Sequence, residues 1–298
     1  MEKMTGIMAG WLIMSATEAK KDYGFVVENG KIVEIVPNEK LLGKEGVIDA
    51  RDSIVCPTFT NTHTHFYETL AHGATEPNLS LKPLLEDFWW PVVENRQTLE
   101  TIRISTEYSA LESMTSGVTL CNDILEAPFA ERGKRLLTEE AVIRKAGMKA
   151  VLSLESNERI STENGYENLE ENKNFILKMR ETGNSDIRGT ICTHTTFSCS
   201  TPFLMKAAGM ARDMDEYIQI HMNEGPDEDK CCVDKYGMTT AELYKKIGFW
   251  EGGKAWANQC SCMEPVELNI MGQMGVGIST QPRSNALCNA GIAPVADM

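Results

Sequence analysis

The sequence predicts an α/β chain built as a (β/α)8 TIM-type barrel behind a small N-terminal β layer. Two observations point there. From about residue 54 onward, short apolar strands alternate with long helical stretches, the order that lays parallel strands under covering helices. Seven such strands can be read, with polar residues gathered at their C-terminal ends, where a barrel collects its chemistry. The competing architecture, a doubly wound sheet, has no GxGxxG or GxxxxGKS/T loop to support it.

Residues 1–55 read as short strands with turn signals. Trp11–Met14 is one. Tyr23–Glu28 and Lys31–Val36 flank Asn29-Gly30, a pair that supplies the positive φ angles of a two-residue hairpin turn. Val47–Ile48 and Ile54–Val55 follow. The apolar stretch Gly6–Ala16 follows Lys3 and faintly resembles a secretory leader. Glu2 in the charged region and the lack of an A-x-A site favour a strand. This layer is too small to bury a core by itself.

The barrel region, 56–298, takes its strands at Ile54–Phe59, Val118–Asn122, Lys149–Leu154, Gly189–His194, Tyr217–His221, Ala255–Gln259 and Val276–Thr280. Helical stretches lie at Leu99–Ser116, Glu139–Gly147, Asn168–Arg180 and Pro202–Asp213. Gly147 is a helix stop. The charged run Gly225–Lys235 reads as a solvated loop.

Composition narrows the function. A net charge of −14 over 298 residues argues against a nucleic-acid partner, which needs clustered positive charge. No apolar run reaches the ~18 residues of a membrane span. The nine cysteines are odd in number and irregularly spaced. They read as reduced thiols, mostly in strands, in a reducing compartment.

Five histidines are present, at 63, 65, 72, 194 and 221. His63 and His65 form an HxH pair after the first barrel strand, and residues two apart on a strand share a face. His194 and His221 each end a strand. An HxH alone serves structure as readily as metal. Histidine at three strand ends, in a chain with so few, points to a metal site on the barrel's active face.

The segment Val55–His65 (VCPTFTNTHTH), with its lead-in Val47–Arg51, resembles the strand-one signature of the amidohydrolase superfamily. Ile220–Glu224 (IHMNE) is similar to that family's H-x-x-E. Gln281–Asn285 (QPRSN) and Gly291–Pro294 (GIAP) resemble its strand-seven elements. The nearest branch holds cytosine and guanine deaminases, methylthioadenosine/adenosylhomocysteine deaminases and triazine chlorohydrolases. The resemblance implies a metal-dependent hydrolase, foremost a hydrolytic deaminase of a nitrogen heterocycle, using metal-activated water. Another leaving group, such as chloride, or a cyclic amide is the alternative. His63, His65 and His221 would hold one divalent ion, Zn2+ ahead of Fe2+. Glu224 would be the proton shuttle. His194 would contact substrate, as would Ser284 and Asn285 of the P-x-S-N element. Trp90, in Phe88-Trp89-Trp90, would wall the substrate or simply pack in the core. The partner is a small heterocyclic molecule, the setting cytoplasmic, and relatives often form homo-oligomers.

Two departures from the family pattern stand out. Gln259 occupies the strand-six position where many relatives carry histidine, and glutamine can hydrogen-bond but not titrate. The strand-eight aspartate ligand has no counterpart before Met298. The expectation is a barrel incomplete after strand seven, its N-terminal layer one part of a composite β-sandwich. An inactive remnant of the enzyme is then a competing reading.

Overall fold

The computed structural model describes residues 4–74, 79–183 and 185–298. The chain divides into two compact units, Met1–Phe59 and Thr60–Met298.

The first unit is one sheet. Its strands are β1 (Gly6–Ile13), β2 (Ala19–Lys21), β3 (Tyr23–Glu28), β4 (Lys31–Pro37) and β5 (Val47–Val55). The order is β2-β1-β3-β4, with β5 running parallel to β1. The predicted hairpin is β3–β4, and both turn residues take the left-handed φ they were chosen for, 51° at Asn29 and 76° at Gly30. The apolar stretch after Lys3 is strand β1, while Glu2 and Lys3 lie outside the described residues. The two short strands expected around residues 47–55 are one strand, β5. Met8, Val36 and Leu41 make the small core.

The second unit holds strands β6 (Phe59–Thr64), β7 (Val118–Leu125), β8 (Lys149–Leu154), β9 (Ile187–Gly189), β10 (Ile191–Thr193), β11 (Ile218–Met222), β12 (Ala255–Gln259) and β13 (Gly277–Ser279). They form two four-stranded sheets, β6-β7-β8-β9 and β10-β11-β12-β13. The pairs from β7 to β9 and from β10 to β13 are parallel. A parallel bridge between Ser156 and Thr193 joins the two sheets. Between the strands lie helices α1 (Leu81–Leu84), α2 (Leu99–Thr115), α3 (Arg135–Ala146), α4 (Thr162–Thr182), α5 (Thr201–Asp213), α6 (Pro226–Tyr236), α7 (Thr240–Lys246), α8 (Pro265–Met274) and α9 (Pro282–Leu287). Local chemistry sets their ends. Thr98, Ser161 and Ser200 cap α2, α4 and α5 through their side-chain oxygens, and Gly147 ends α3 with φ 74°.

Strand β11 shows how the sequence separates core from site. All five of its residues are buried, as in parallel sheets covered on both faces. Ile218, Ile220 and Met222 join the apolar cluster with α5 and α7. Gln219 and His221 alternate with them and so face the other way. There Gln219 Oε1 accepts from Asn122 Nδ2 at 2.8 Å and from Asn258 Nδ2 at 3.2 Å, and its Nε2 donates to Ser153 Oγ at 3.2 Å. Thr62 Oγ1 and Ser279 Oγ, from β6 and β13, lie 2.7 Å apart. These contacts cross between the sheets, so their inner faces converge on a shared polar layer.

The structure corrects four readings. The strand expected at Ile54–Phe59 is instead Phe59–Thr64, because Pro57 ends the apolar run that continues from β5. The strand before His194 is split at Thr190 and stops at Thr193. The run Gly225–Lys235 is helix α6, not a loop. Pro226 opens it, Asp227, Glu228 and Asp229 face its positive N-terminal end, and Gly237 closes it with φ 69°. The nine thiols are free, as expected, but only Cys121 and Cys192 lie in strands. Among the described residues no helix is long and apolar enough to cross a membrane.

Candidate metal centre

Strand ends bring the predicted histidines together. His63 is the penultimate residue of β6, His65 follows β6 directly, and His221 lies next to the end of β11. One ligand nitrogen from each lies within 4.8 Å of the others. The rings of His65 and His221 stack at 5.3 Å, and His63 meets each edge-on at 4.8 Å.

Contacts at Nδ1 decide which nitrogens face inward. His65 Nδ1 lies 2.8 Å from the Ile124 carbonyl. A carbonyl only accepts, so this nitrogen carries the proton. His221 Nδ1 lies 2.9 Å from Glu155 Oε1. That leaves the two Nε2 atoms facing each other at 3.2 Å. Two imidazole lone pairs at that distance repel unless a cation or a proton lies between them. The spacing matches two nitrogens on one tetrahedral ion with bonds of about 2.1 Å, which are roughly 3.4 Å apart. His63 is buried, yet neither of its ring nitrogens has a hydrogen-bond partner. Orphaned buried acceptors of this kind are costly unless something outside the protein satisfies them. The donor set therefore fits a divalent transition metal such as zinc.

Electrostatics agrees. Burial, together with the neighbouring imidazoles, pushes the His63 pKa well below its usual value and that of His65 down to about 4. Neutral imidazoles are what a metal binds. His221 is the exception. Burial lowers its pKa, but the carboxylates of Glu155, Glu224 and Glu228 outweigh burial and hold it above normal. Burial also raises Glu155, and the surrounding imidazoles of His194 and His221 more than reverse this, leaving it far below the usual carboxylate range.

The other predicted residues fall around this cluster. His194 is buried 5.6 Å, ring to ring, from His221, with its Nδ1 2.6 Å from Ser198 Oγ. Trp90 lies half-buried in the π-helical turn Leu85–Val93, 6.1 Å from the His194 ring. Glu224 sits half-buried just past β11. Burial, with Glu155 and Glu228, raises its pKa to about 7 against the opposing pull of His221. Gln259 ends β12, registered with Met222, whereas Asn258 is the residue registered with His221. Gln259 and Cys260 both take left-handed backbone, φ 74° and 49°, an uncommon conformation for side-chain-bearing residues. Gln259 Oε1 is buried without a hydrogen bond, as are both amide atoms of Asn285 on α9. Ser284 is half-buried beside Asn285.

Sequence reasoning passed over several residues that shape the site. Glu155 follows β8 directly, so the strand-end rule that found the histidines would have found it too. Glu68, one turn past His65, is raised to about 8 by burial and by Glu224 and Glu155. Arg159 donates to Glu126 Oε1 at 2.9 Å and to Asn95 Oδ1 at 2.8 Å, and lies 2.9 Å from Glu94 Oε2. Its guanidinium also rests over the Trp90 ring at 5.4 Å. Glu228, on α6, accepts from the Thr196 N–H through Oε1 at 2.9 Å and from the Asn223 N–H through Oε2 at 2.6 Å.

The model of the amidohydrolase family matches residues 54–298. The chain belongs to the amidohydrolase family. Among curated amidohydrolase relatives, the chain is 29% identical over 277 residues to a 5'-deoxyadenosine deaminase from Methanocaldococcus jannaschii, covering 92% of this chain and 63% of that protein. It is 28% identical over 276 residues to a 5-methylthioadenosine/S-adenosylhomocysteine deaminase from Carboxydothermus hydrogenoformans, covering 92% and 61%. This amidohydrolase chain thus spans less than two thirds of the length of either relative. Among solved structures, an adenosine deaminase from Xanthomonas campestris with bound zinc superposes with a TM-score of 0.86 at 19% identity, covering 99% of this chain and 66% of that one. That likeness establishes the shared amidohydrolase fold.

Proposed function

We propose that the chain carries the reaction centre of a hydrolytic deaminase that takes an aminopurine, as a base or as a 5'-modified nucleoside. The observation that carries this reading is the meeting of His63, His65 and His221 with bare nitrogens turned inward, next to a half-buried acid, Glu224. The 5'-deoxyadenosine and methylthioadenosine/adenosylhomocysteine deaminases among the relatives support the substrate class. In the same reading the parallel strands β6–β13 are the wall of a (β/α)8-type barrel, and the three histidines hold a single zinc ion.

Such an ion, when bound, lowers the pKa of a coordinated water towards ~7 and so supplies a nucleophile at neutral pH. The chain's own residues do the rest. Glu224, with its pKa raised to about 7, is matched to the pH at which it must both accept and return a proton. It takes one proton from the attacking water and passes it to the ring nitrogen. The water oxygen bonds to the amino-bearing carbon and forms a tetrahedral centre. The C–N bond then breaks, and the second water proton leaves with the amino group as ammonia. Trp90 presents an aromatic face on which a heterocycle stacks. His194, held through Nδ1 by Ser198, offers its other nitrogen to the substrate. The unpartnered Oε1 of Gln259 and the unpartnered amide of Asn285 offer further hydrogen bonds to the base. Gln259 cannot titrate, so proton movement rests on Glu224 alone.

The test is ammonia release from a panel of aminopurines and 5'-deoxynucleosides, with bound metal per chain measured in parallel. Ammonia from at least one aminopurine, with about one ion per chain, is the expected result. Release of chloride from a chlorinated heterocycle without ammonia from any aminated one would replace deamination with dehalogenation.

A further inference from the structure

Glu155 lies at the end of β8, facing the ends of the neighbouring strands β10 and β11. It is 3% exposed. Its Oε1 and His221 Nδ1 lie at ion-pair distance, 2.9 Å apart, and both atoms are buried without a hydrogen-bond partner. Ligand atoms of Glu155, His194 and His221 all fall within 4.8 Å of one another. A buried carboxylate is expensive to maintain. What it gains in return needs an account.

We propose that Glu155 is a positioning residue for the metal centre: it takes the Nδ1–H of His221, fixes that tautomer, and so turns the bare Nε2 toward His63 and His65. The inference rests on the metal reading given above and adds a residue to it. The argument is one of inventory. A neutral imidazole has one N–H and one lone pair, and the hydrogen bond at one nitrogen decides what the other can do. His65 is fixed by a backbone carbonyl, which no substitution at Ile124 can remove. His221 has no backbone acceptor at Nδ1 and depends on a side chain. The carboxylate also makes His221 a stronger donor to an ion than a carbonyl would, since its charge is felt through the ring. Glu155 therefore acts through His221 and does not touch the ion.

The arrangement also admits a rival. Glu155, His194 and His221 could themselves hold a cation, with Glu155 as a ligand. Stoichiometry separates the two, because a positioning role leaves one ion per chain and a ligand role of that kind adds a second.

The experiment titrates zinc against a competing chelator into metal-stripped chain, comparing wild type, Glu155→Gln and Glu155→Asp, with melting curves to confirm folding. In the metal-free proteins, at a pH above the raised His221 pKa, where the ring is neutral, 15N-detected imidazole spectra read the His221 tautomer. We expect one ion in the wild type and 10–100-fold weaker binding in Glu155→Gln. The His221 tautomer should shift from Nδ1–H in the wild type to a mixture in Glu155→Gln. Glu155→Asp keeps the charge but withdraws the oxygen, and its affinity should fall between the two. That variant carries the test if Glu155→Gln does not fold. Unchanged affinity with an unchanged tautomer in the variants overturns the proposal. So does a wild type binding two ions, of which Glu155→Gln loses one. A wild type that binds no zinc defeats the metal reading instead, and the tautomer comparison still reports on Glu155.

Discussion

Glu155 and Glu139 are both almost completely buried, and the fold gives them opposite charge states. Burial raises the pKa of each. Around Glu155 stand the imidazoles of His194, His221 and His65, which reverse the effect and leave it ionised. Beside Glu139, on α3, stands another acid, Asp123 of β7, which adds to burial and keeps Glu139 protonated well above the usual range. Asp123 itself is pushed up to about 6 by burial, although the Phe66 N–H donates to its Oδ1 at 2.7 Å. Depth in the protein therefore does not decide charge here; the neighbours do. Arg159 marks the middle case. Its guanidinium serves two buried acids, and Glu126 still rises to about 7.

The comparison can be broken at four points. Replacing His221 by alanine removes both a proposed metal ligand and the imidazole in contact with Glu155. Bound zinc should fall to near zero by elemental analysis and ammonia release to background. Glu224→Gln keeps size but removes the titrating group. The rate should drop by about 10²–10⁴-fold while metal content stays at the wild-type level, since in the proposed mechanism the residue moves a proton and holds no ion. Arg159→Met strips two buried carboxylates of their cation. Breaking a buried pair in this way costs about 3–5 kcal/mol, read by urea unfolding, and KM should rise as Trp90 loses the cation above it.

The smallest effect concerns pH. Between the ordinary carboxyl pKa of about 4 and the raised values of Asp123 and Glu139, the folded chain holds more protons than the unfolded chain. Stability contributed by this pair is complete below about pH 4 and falls as pH rises through 6 and beyond. Glu139→Gln removes its share of that slope. At pH 8 the variant should melt roughly 2–4 °C higher, the shift expected for about 1 kcal/mol in a domain of this size. A variant that melts lower at every pH would show that Glu139 is ionised and bonded after all.

Much of this was legible in the sequence where local chemistry decides structure. Asn29-Gly30 could hardly be anything but a turn. The end of the strand read at Tyr217–His221 placed His221 with the other strand-end histidines. Reading failed where one signal carried two meanings. The acids of Gly225–Lys235 resembled solvated loop residues, but at the start of a helix they complement its dipole, and only the Pro226 and Gly237 bounds tell the two apart. The histidines were found because imidazole is rare in this chain. Glu155 was missed because glutamate is common: its place directly after β8 was open to the same strand-end rule, but only the fold brings it beside His221. Arg159, Glu126 and Glu94 are separated by up to 65 positions, and no local pattern records such a pairing.

Glu228 ties two segments with one side chain. Its oxygens accept from the Thr196 amide just past His194 and from the Asn223 amide just before Glu224. Segments joined in this way should open together in thermal fluctuations. Amide hydrogens at Thr196 and Asn223 should therefore exchange with solvent at matched rates, and cutting the tether with Glu228→Ala should speed both at once. The rim of the reaction centre would then be a single mechanical piece, hung from the first turn of a helix whose acids looked like mere surface charge.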